Sequence, residues 1–251
     1  MLMKKVIIKI IFKEPDFKEV KDGTVRDTDI EMGVNVILQR LLLLSSCYSE
    51  IRKDFDWYLT GTSQKDAMKK QVINGINSTT DNASTLLFDS LKNDYPIIVK
   101  KIWNEFGDTI LCSNFMRENT CFFSYELTCK INDENCITNF TSKTVTKLIE
   151  IIAPKIILVE TNNYSRNEKN VFPDRFPVGW MFYTDRVFDR ILPELDSQMY
   201  DITKNDIKIG TLFISKKGFF DGESENDIKQ ANDLEILLVS HNILPTYKDI
   251  F

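Results

Sequence analysis

The amino-acid sequence predicts an α+β fold, one domain over residues 1–251, with a largely antiparallel or mixed β-sheet covered by helices. Three observations predict it. "CFFSYELTCKI" sets Phe123, Tyr125, Leu127 and Cys129 against Phe122, Ser124, Glu126 and Thr128, a period of two that buries one face of a strand and wets the other. "SENDIKQANDLEILLVSHNILP" has the 3.6-residue period and the end signals of a helix. Between such segments, helices and strands alternate irregularly and strands follow strands, unlike the strict βαβα order of a parallel sheet.

The elements follow in chain order. Residues 4–13, "KKVIIKIIFK", are β-branched and apolar and predict a first strand. Lys9 and the Lys13-Glu14 pair break the run and no small-residue cleavage site follows, so a signal peptide is not expected. A turn at Asp22-Gly23 leads to a helix from Thr28 to about Lys53, with Val34, Ile37, Leu38, Leu41, Leu42 and Leu44 on a broad apolar face. "LQRLLLLSSC" within it is too short and too flanked by charge to span a bilayer. "DWYL" predicts a short strand. Gly61 breaks the chain, and Ser63 caps a helix that includes Ala67, Met68 and Val72, with Asp66 at its third position.

An Asn/Ser/Thr-rich loop over 74–85 leads to a helix of about 83–93, stopped before Pro96. "VKKIWNEFGDTILCSNF" and "CFFSYELTCKI" are strands, "TSKTVTKLIEIIAPK" is a helix ended by Pro154, and "IILVE" is a strand. "DIKIGTLFIS" is another strand, with Ile207, Ile209, Thr211 and Phe213 on one side. Ser224 caps the last helix. Glu225 and Asp227 oppose the positive end of its dipole, Asn242 takes a left-handed closing position, and Pro245 forbids continuation.

Composition narrows function. The 32 Lys and Arg against 37 Asp and Glu give a net charge of −5, which argues against direct binding of nucleic acid, where phosphate contacts need clustered cations. The five cysteines, without a CxxC, do not form a disulfide scaffold; Cys121, Cys129 and Cys136 read as buried or half-buried thiols rather than a zinc site. There is no GxSxG, phosphate loop or dinucleotide fingerprint, and no metal or other cofactor is implied. The single histidine, His241, removes two-histidine schemes and sits where it closes the last helix. No membrane association is expected, and the expected location is cytoplasmic.

The sharpest catalytic alternative is a Mg²⁺-dependent nuclease, pairing Asp174 after Pro173 with the Asp206-Ile207-Lys208 triplet on a strand. Two carboxylates would hold the metal and Lys208 the attacking water or phosphate. The signal is short: a second Asp-Ile-Lys occurs at 227–229 on a helix. The stretch "VFPDRFPVGWMFY", 171–183, also has the make-up of a stiff corner. Pro173 and Pro177 hold the chain extended, Gly179 allows positive φ or close approach, and Trp180, Phe182 and Tyr183 enter a strand.

The segments "WYLTGTSQKDAM", "KIWN", "VFPDRFPVGWMFY", "IGTLFIS" and "QANDLEILLVSHNILP" together resemble the immunity protein 52 family of bacterial polymorphic toxin systems. Order and approximate spacing agree from about Phe55 to Pro245. The matching positions are Trp57, Gly61, Ala67, Trp103, Asp174, Arg175, Gly179, Trp180, Tyr183, Gly210, Ala231, Asn232, Glu235, Leu244 and Pro245. Few Gly and many Asn, Lys and Ile mark a diverged member. The resemblance implies a non-catalytic α+β protein that binds a cognate toxin, a restriction-endonuclease-fold DNase in several such systems, some delivered by type VI secretion. Candidate toxin contacts are Asp174, Arg175 and Trp180 at the corner, and Phe220, Asp221 and Glu223 in the acidic "FFDGESEND" segment, where carboxylates would stand in for phosphates.

Overall fold

The structure, a computed structural model, describes residues 3–13, 26–75, 78–93, 98–117, 120–130, 133–188 and 193–250. The turn expected at Asp22-Gly23 and the stop expected at Pro96 lie outside them. It is a single α+β domain built on one ten-stranded sheet whose paired strands are all antiparallel.

The strands are β1 (Lys4–Lys13), β2 (Trp57–Leu59), β3 (Gln71–Ile73), β4 (Ile98–Trp103), β5 (Thr109–Arg117), β6 (Thr120–Cys129), β7 (Ile156–Thr161), β8 (Met181–Thr184), β9 (Met199–Lys204) and β10 (Ile207–Ile214). Their spatial order is β3-β2-β4-β5-β6-β1-β7-β8-β10-β9. Strand β1 joins the two halves, pairing along its whole length with β6 and over Val6–Ile11 with β7. Alternation sorts its side chains: Val6, Ile8, Ile10 and Phe12 enter the main core, and Ile11 enters a second core on the opposite face.

The helices are α1 (Asp27–Tyr48), α2 (Gln64–Ala67), α3 (Ala83–Leu91), α4 (Glu134–Ile152) and α5 (Glu225–Ser240). Helices α1, α3 and α4 cover the main-core face, where Ile37, Leu41, Leu87 and Leu148 are fully buried. By length and composition α1, at 22 residues, could cross a membrane; here its apolar side lies in the core. Helix α5 covers the other face over β7, β8 and β10, with Leu234 and Leu238 against Leu158, Phe182 and Phe213, in a second core that Ile11 of β1 joins and Phe122 of β6 borders. That face of β2, β4, β5 and β6 has no helix on it among the described residues. Tyr58, Trp103, Leu111, Ser124 and Glu126 lie there half-exposed, and Val99 exposed.

The structure corrects several expectations. Helix α2 is one turn; Val72, expected on its face, is in β3. Helix α4 starts at Glu134, capped by the Asp133 carboxylate accepting from the Asn135 amide, and ends with Ala153 left-handed before Pro154. Strand β9 was not expected, because its alternation is mostly polar on a sheet edge. It turns into β10 through Asn205 and Asp206, both at positive φ, as two-residue hairpin turns require.

Two diagonal ion pairs reinforce the register of β1. Lys5 meets Glu126 of β6 at 2.7 Å, and Lys9 meets Glu160 of β7 at 2.9 Å. Glu160 is buried and also accepts from the Ser165 amide and hydroxyl. Removing the cation leaves a buried carboxylate short of its main partner, so Lys9→Ala is expected to cost about 2–4 kcal/mol in urea unfolding. Cys47, Cys112, Cys121 and Cys129 are buried, and burial pushes the Cys129 thiol up to about 12. Cys136 is half-exposed. A thiol titration at pH 8 is expected to count one reactive group in the native protein and five after denaturation.

Candidate functional site

The corner over 171–180 is held by α5 and the segment after it. The Glu235 carboxylate, fully buried, accepts from the backbone amides of Val171 and Phe172, at 3.3 Å each. The Arg175 guanidinium donates to the Leu244 carbonyl, and the Tyr247 amide donates to the Asp174 carbonyl at 3.1 Å. The rings of Phe176 and Tyr247 meet at 4.5 Å. The chain then passes Gly179, at φ +56, where a Cβ would come 2.9 Å from the Val159 carbonyl oxygen. Trp180 follows, fully buried, its amide donating to the Val159 carbonyl and its indole N–H to the Lys216 carbonyl.

The other marked positions serve the same unit or its counterpart across the sheet. At Gly210 a Cβ would meet the Tyr183 hydroxyl and lie 2.6 Å from the Thr184 carbonyl oxygen. Tyr183 donates to the Ile209 carbonyl. Ala231 is fully buried, and Asn232 accepts from the Tyr164 hydroxyl at 2.7 Å. Gly61 lies against Ala67, and Trp103 donates from its indole to the Leu59 carbonyl. These residues carry packing and hydrogen bonds within the fold.

The structure divides the six candidate contacts. Asp174 and Glu223 are exposed, and Arg175 and Asp221 half-exposed. Trp180 and Phe220 are fully buried and present no surface to a partner. Asp221 is committed locally: its carboxylate accepts from Asn162 and from the Glu223 amide. Asp227, expected on the acidic helix start, is buried and paired with Lys216 at 2.7 Å, while its carboxylate also accepts the Asp221 amide. The open acidic surface of this segment therefore reduces to Glu223 and Glu225.

The nuclease arrangement is not assembled as the sequence drew it. Asp206 sits in the β9–β10 turn rather than on a strand, and Lys208 is paired with Asp201 at 2.5 Å. The Asp174 backbone is tied to the end of the α5 segment. Among the described residues no group of three or more His, Cys, Asp or Glu side chains is placed to hold a metal ion. Sequence reasoning missed the uncovered half-sheet around Tyr58, Val99 and Trp103. Its one signal was the period-two pattern of 120–129, which left Ser124 and Glu126 on a face without an evident cover.

No family model matches the sequence, and no curated protein matches it. Among solved structures the chain is similar to a Pseudomonas aeruginosa T6SS protein, at 8% identity and a TM-score of 0.43, covering 91% of this chain and 76% of that one. It is also similar to a chain of the crystal structure of the toxic C-terminal tip of CdiA from Pseudomonas aeruginosa in complex with immune protein. That match has 10% identity and a TM-score of 0.25, over 62% of this chain and 86% of that one. Scores this low carry nothing on function over to the chain.

Burial raises the Glu235 carboxyl above its ordinary range, against the two backbone amides that lower it. The folded protein therefore holds this proton to higher pH than the unfolded chain does. The stabilisation by the protonated form is present at low pH and is lost as pH rises through the folded value. Glu235→Gln removes that slope. Calorimetric melting from pH 4 to pH 8 is expected to show the stability of the variant rising relative to the native protein as pH increases; parallel curves would refute it.

Proposed function

We propose that the protein is an immunity protein: it acts in the cytosol, has no catalytic activity, and binds and neutralises a bacterial toxin, a DNase in the finer form of the reading. One observation carries it. Most of the positions that bear the resemblance to the immunity protein 52 family, far apart in sequence, meet in the fold, while Trp57, Gly61, Ala67 and Trp103 belong to the other half of the sheet. The 171–183 corner, β8, β10, α5 and the Leu244-Pro245 segment form one connected unit through Glu235, Arg175, Gly179 and Gly210. A set of short matches arising by chance has no reason to close into one unit.

The mechanism is steric. An inhibitor of this size covers a catalytic cleft, or a surface beside it, by burying about 1,600 Å² in total. Surface carboxylates such as Asp174 and Glu223 would speed encounter with a cationic DNA-binding cleft, and apolar contacts would slow release. The test is co-expression with the product of the neighbouring toxin gene. The expected outcome is restored growth and a complex that survives gel filtration. With Asp174→Lys and Glu223→Lys combined, association is expected to slow by about tenfold at low salt, with a smaller change at high salt. Continued killing together with no complex would overturn the reading.

A further inference from the structure

Strand β9 ends the sheet and is paired on one side, with β10. The Ile214 amide donates to the Gln198 carbonyl at 2.8 Å, so Gln198 and Ile214 are a hydrogen-bonded pair next to Met199 and Phe213. Such pairs alternate along an antiparallel ladder. Tyr200, Ile202 and Lys204 therefore turn their amides and carbonyls toward β10, and Met199, Asp201 and Thr203 turn theirs outward. The irregularity between Lys208 and Gly210 puts its extra residue in β10, which leaves the alternation along β9 intact. Among the described residues β9 has no strand beyond it, and no hydrogen bond reaches the outward backbone groups of Asp201 and Thr203.

The side chains of β9 alternate between the two faces. Ile202 packs against the main core, with Tyr200 and Lys204 on its side of the strand; Met199 packs against the second core, with Asp201 and Thr203 on that side. Near the edge, apolar surface is left open: Tyr200 is 37% exposed, and Ile207, which lies opposite Lys204, is 68% exposed. The features that guard a sheet edge are absent or neutralised here. Strand β9 has no proline and no bulge of its own. The Asp201 carboxylate is paired with Lys208 at 2.5 Å, and the Lys204 ammonium donates to the Glu150 carbonyl at 3.0 Å.

We infer that β9 pairs with β9 of a second copy of this chain, antiparallel about a two-fold axis at Ile202, so that two sheets join into one. The inference goes beyond the immunity reading and does not depend on it. The strand is complementary to itself in this register. Ile202 faces Ile202 of the second copy, Tyr200 faces Lys204, and Asp201 faces Thr203. Asp201 and Thr203 then exchange backbone hydrogen bonds on both sides of the axis. The Lys204 ammonium lies by the Tyr200 ring of the second copy, which attracts it. No like charges are directly opposed, and the two Asp201 carboxylates, on a diagonal, each keep their own Lys208. Other axes fit less well. One between residues sets outward groups against inward ones. One at Asp201 opposes the two carboxylates, and one at Thr203 sets Ile202 against Lys204. A two-fold contact of one edge with itself closes as a dimer and does not grow into a fibre. A pair of six-residue strands buries less than the about 1,200 Å² of a stable interface, so the dimer is weak and depends on concentration.

Sedimentation velocity of the native protein is expected to show a monomer–dimer equilibrium between about 0.01 and 1 mM. Amide exchange is expected to be fast at Asp201 and Thr203 in dilute protein and slowed in concentrated protein, with Tyr200 and Ile202 slow throughout. Thr203→Pro removes an outward donor at an edge position that tolerates proline, and is expected to give a monomer with the melting temperature kept. Tyr200→Lys sets a lysine opposite Lys204 of the second copy and is expected to weaken the dimer about tenfold. Adding Lys204→Glu to that variant makes the facing charges opposite and is expected to restore the dimer. Within one chain the two positions are about 13 Å apart along the strand and do not meet, so the rescue reads contact between copies in this register. A protein that stays monomeric over the whole range overturns the inference. So does slow exchange at Asp201 and Thr203 in the dilute monomer, a dimer that survives Thr203→Pro, or a charge exchange that brings no rescue.

Discussion

The fold depends on β1 being paired on both sides. It is the one strand that links the half-sheet β3-β2-β4-β5-β6 to the half-sheet β7-β8-β10-β9. A slip of one residue in either ladder would turn Val6, Ile8, Ile10 and Phe12 out of the main core and bring Lys5 and Lys9 into it. Hydrophobic alternation alone specifies this register, and the two diagonal pairs, Lys5 with Glu126 and Lys9 with Glu160, reinforce it from opposite neighbours on the same face. Net stabilisation from a buried pair is small once desolvation is counted. Its larger effect is that an off-register β1 would strand the buried Glu160 carboxylate without its cation.

The two half-sheets then meet different fates. On the β7-β8-β10 side, α5 closes the second face, and the 171–180 corner is clamped beneath it through Glu235 and Arg175. On the β2-β4-β5-β6 side the same face stays open and mixes Tyr58, Trp103 and Leu111 with Ser124 and Glu126. An antiparallel sheet tolerates one wet face when that face is polar. This one is only partly polar. One half of the sheet is thus packed on both faces, and the other, among the described residues, on one.

Much of the fold was legible because the residues in question obey local rules. The core alternation of β6, the Ser224 cap, the left-handed Asn242 and the Pro154 stop all appear as the sequence indicates. What was not legible depended on long-range pairing. Strand β9 has almost no apolar alternation, because an edge strand buries little, and Val72 joins β3 because β2 offers it a ladder, a preference no local pattern carries. The candidate site was legible in part. Asp174 and Glu223 are on the surface as a contact requires, whereas Trp180 and Phe220 are core. An aromatic flanked by charges in sequence has the same pattern whether its strand faces inward or outward, so only tertiary structure separates the two cases.

This division bears on how an immunity protein of this kind would acquire its specificity. The residues that carry the resemblance are mostly interior: Gly179 and Gly210 permit close backbone approach, Trp180 and Ala231 fill the core, and the buried Glu235 accepts from the Val171 and Phe172 amides. A partner touching the protein meets few of them, Asp174 and Arg175 being the exposed and half-exposed members at the corner. Such a motif reports the scaffold and leaves the choice of toxin to positions outside it. Specificity arises from differences in affinity, and changes at exposed positions such as Glu223 and Glu225 alter affinity without disturbing the clamp. A lineage could then exchange one toxin for another by changing surface and edge residues while the interior set held.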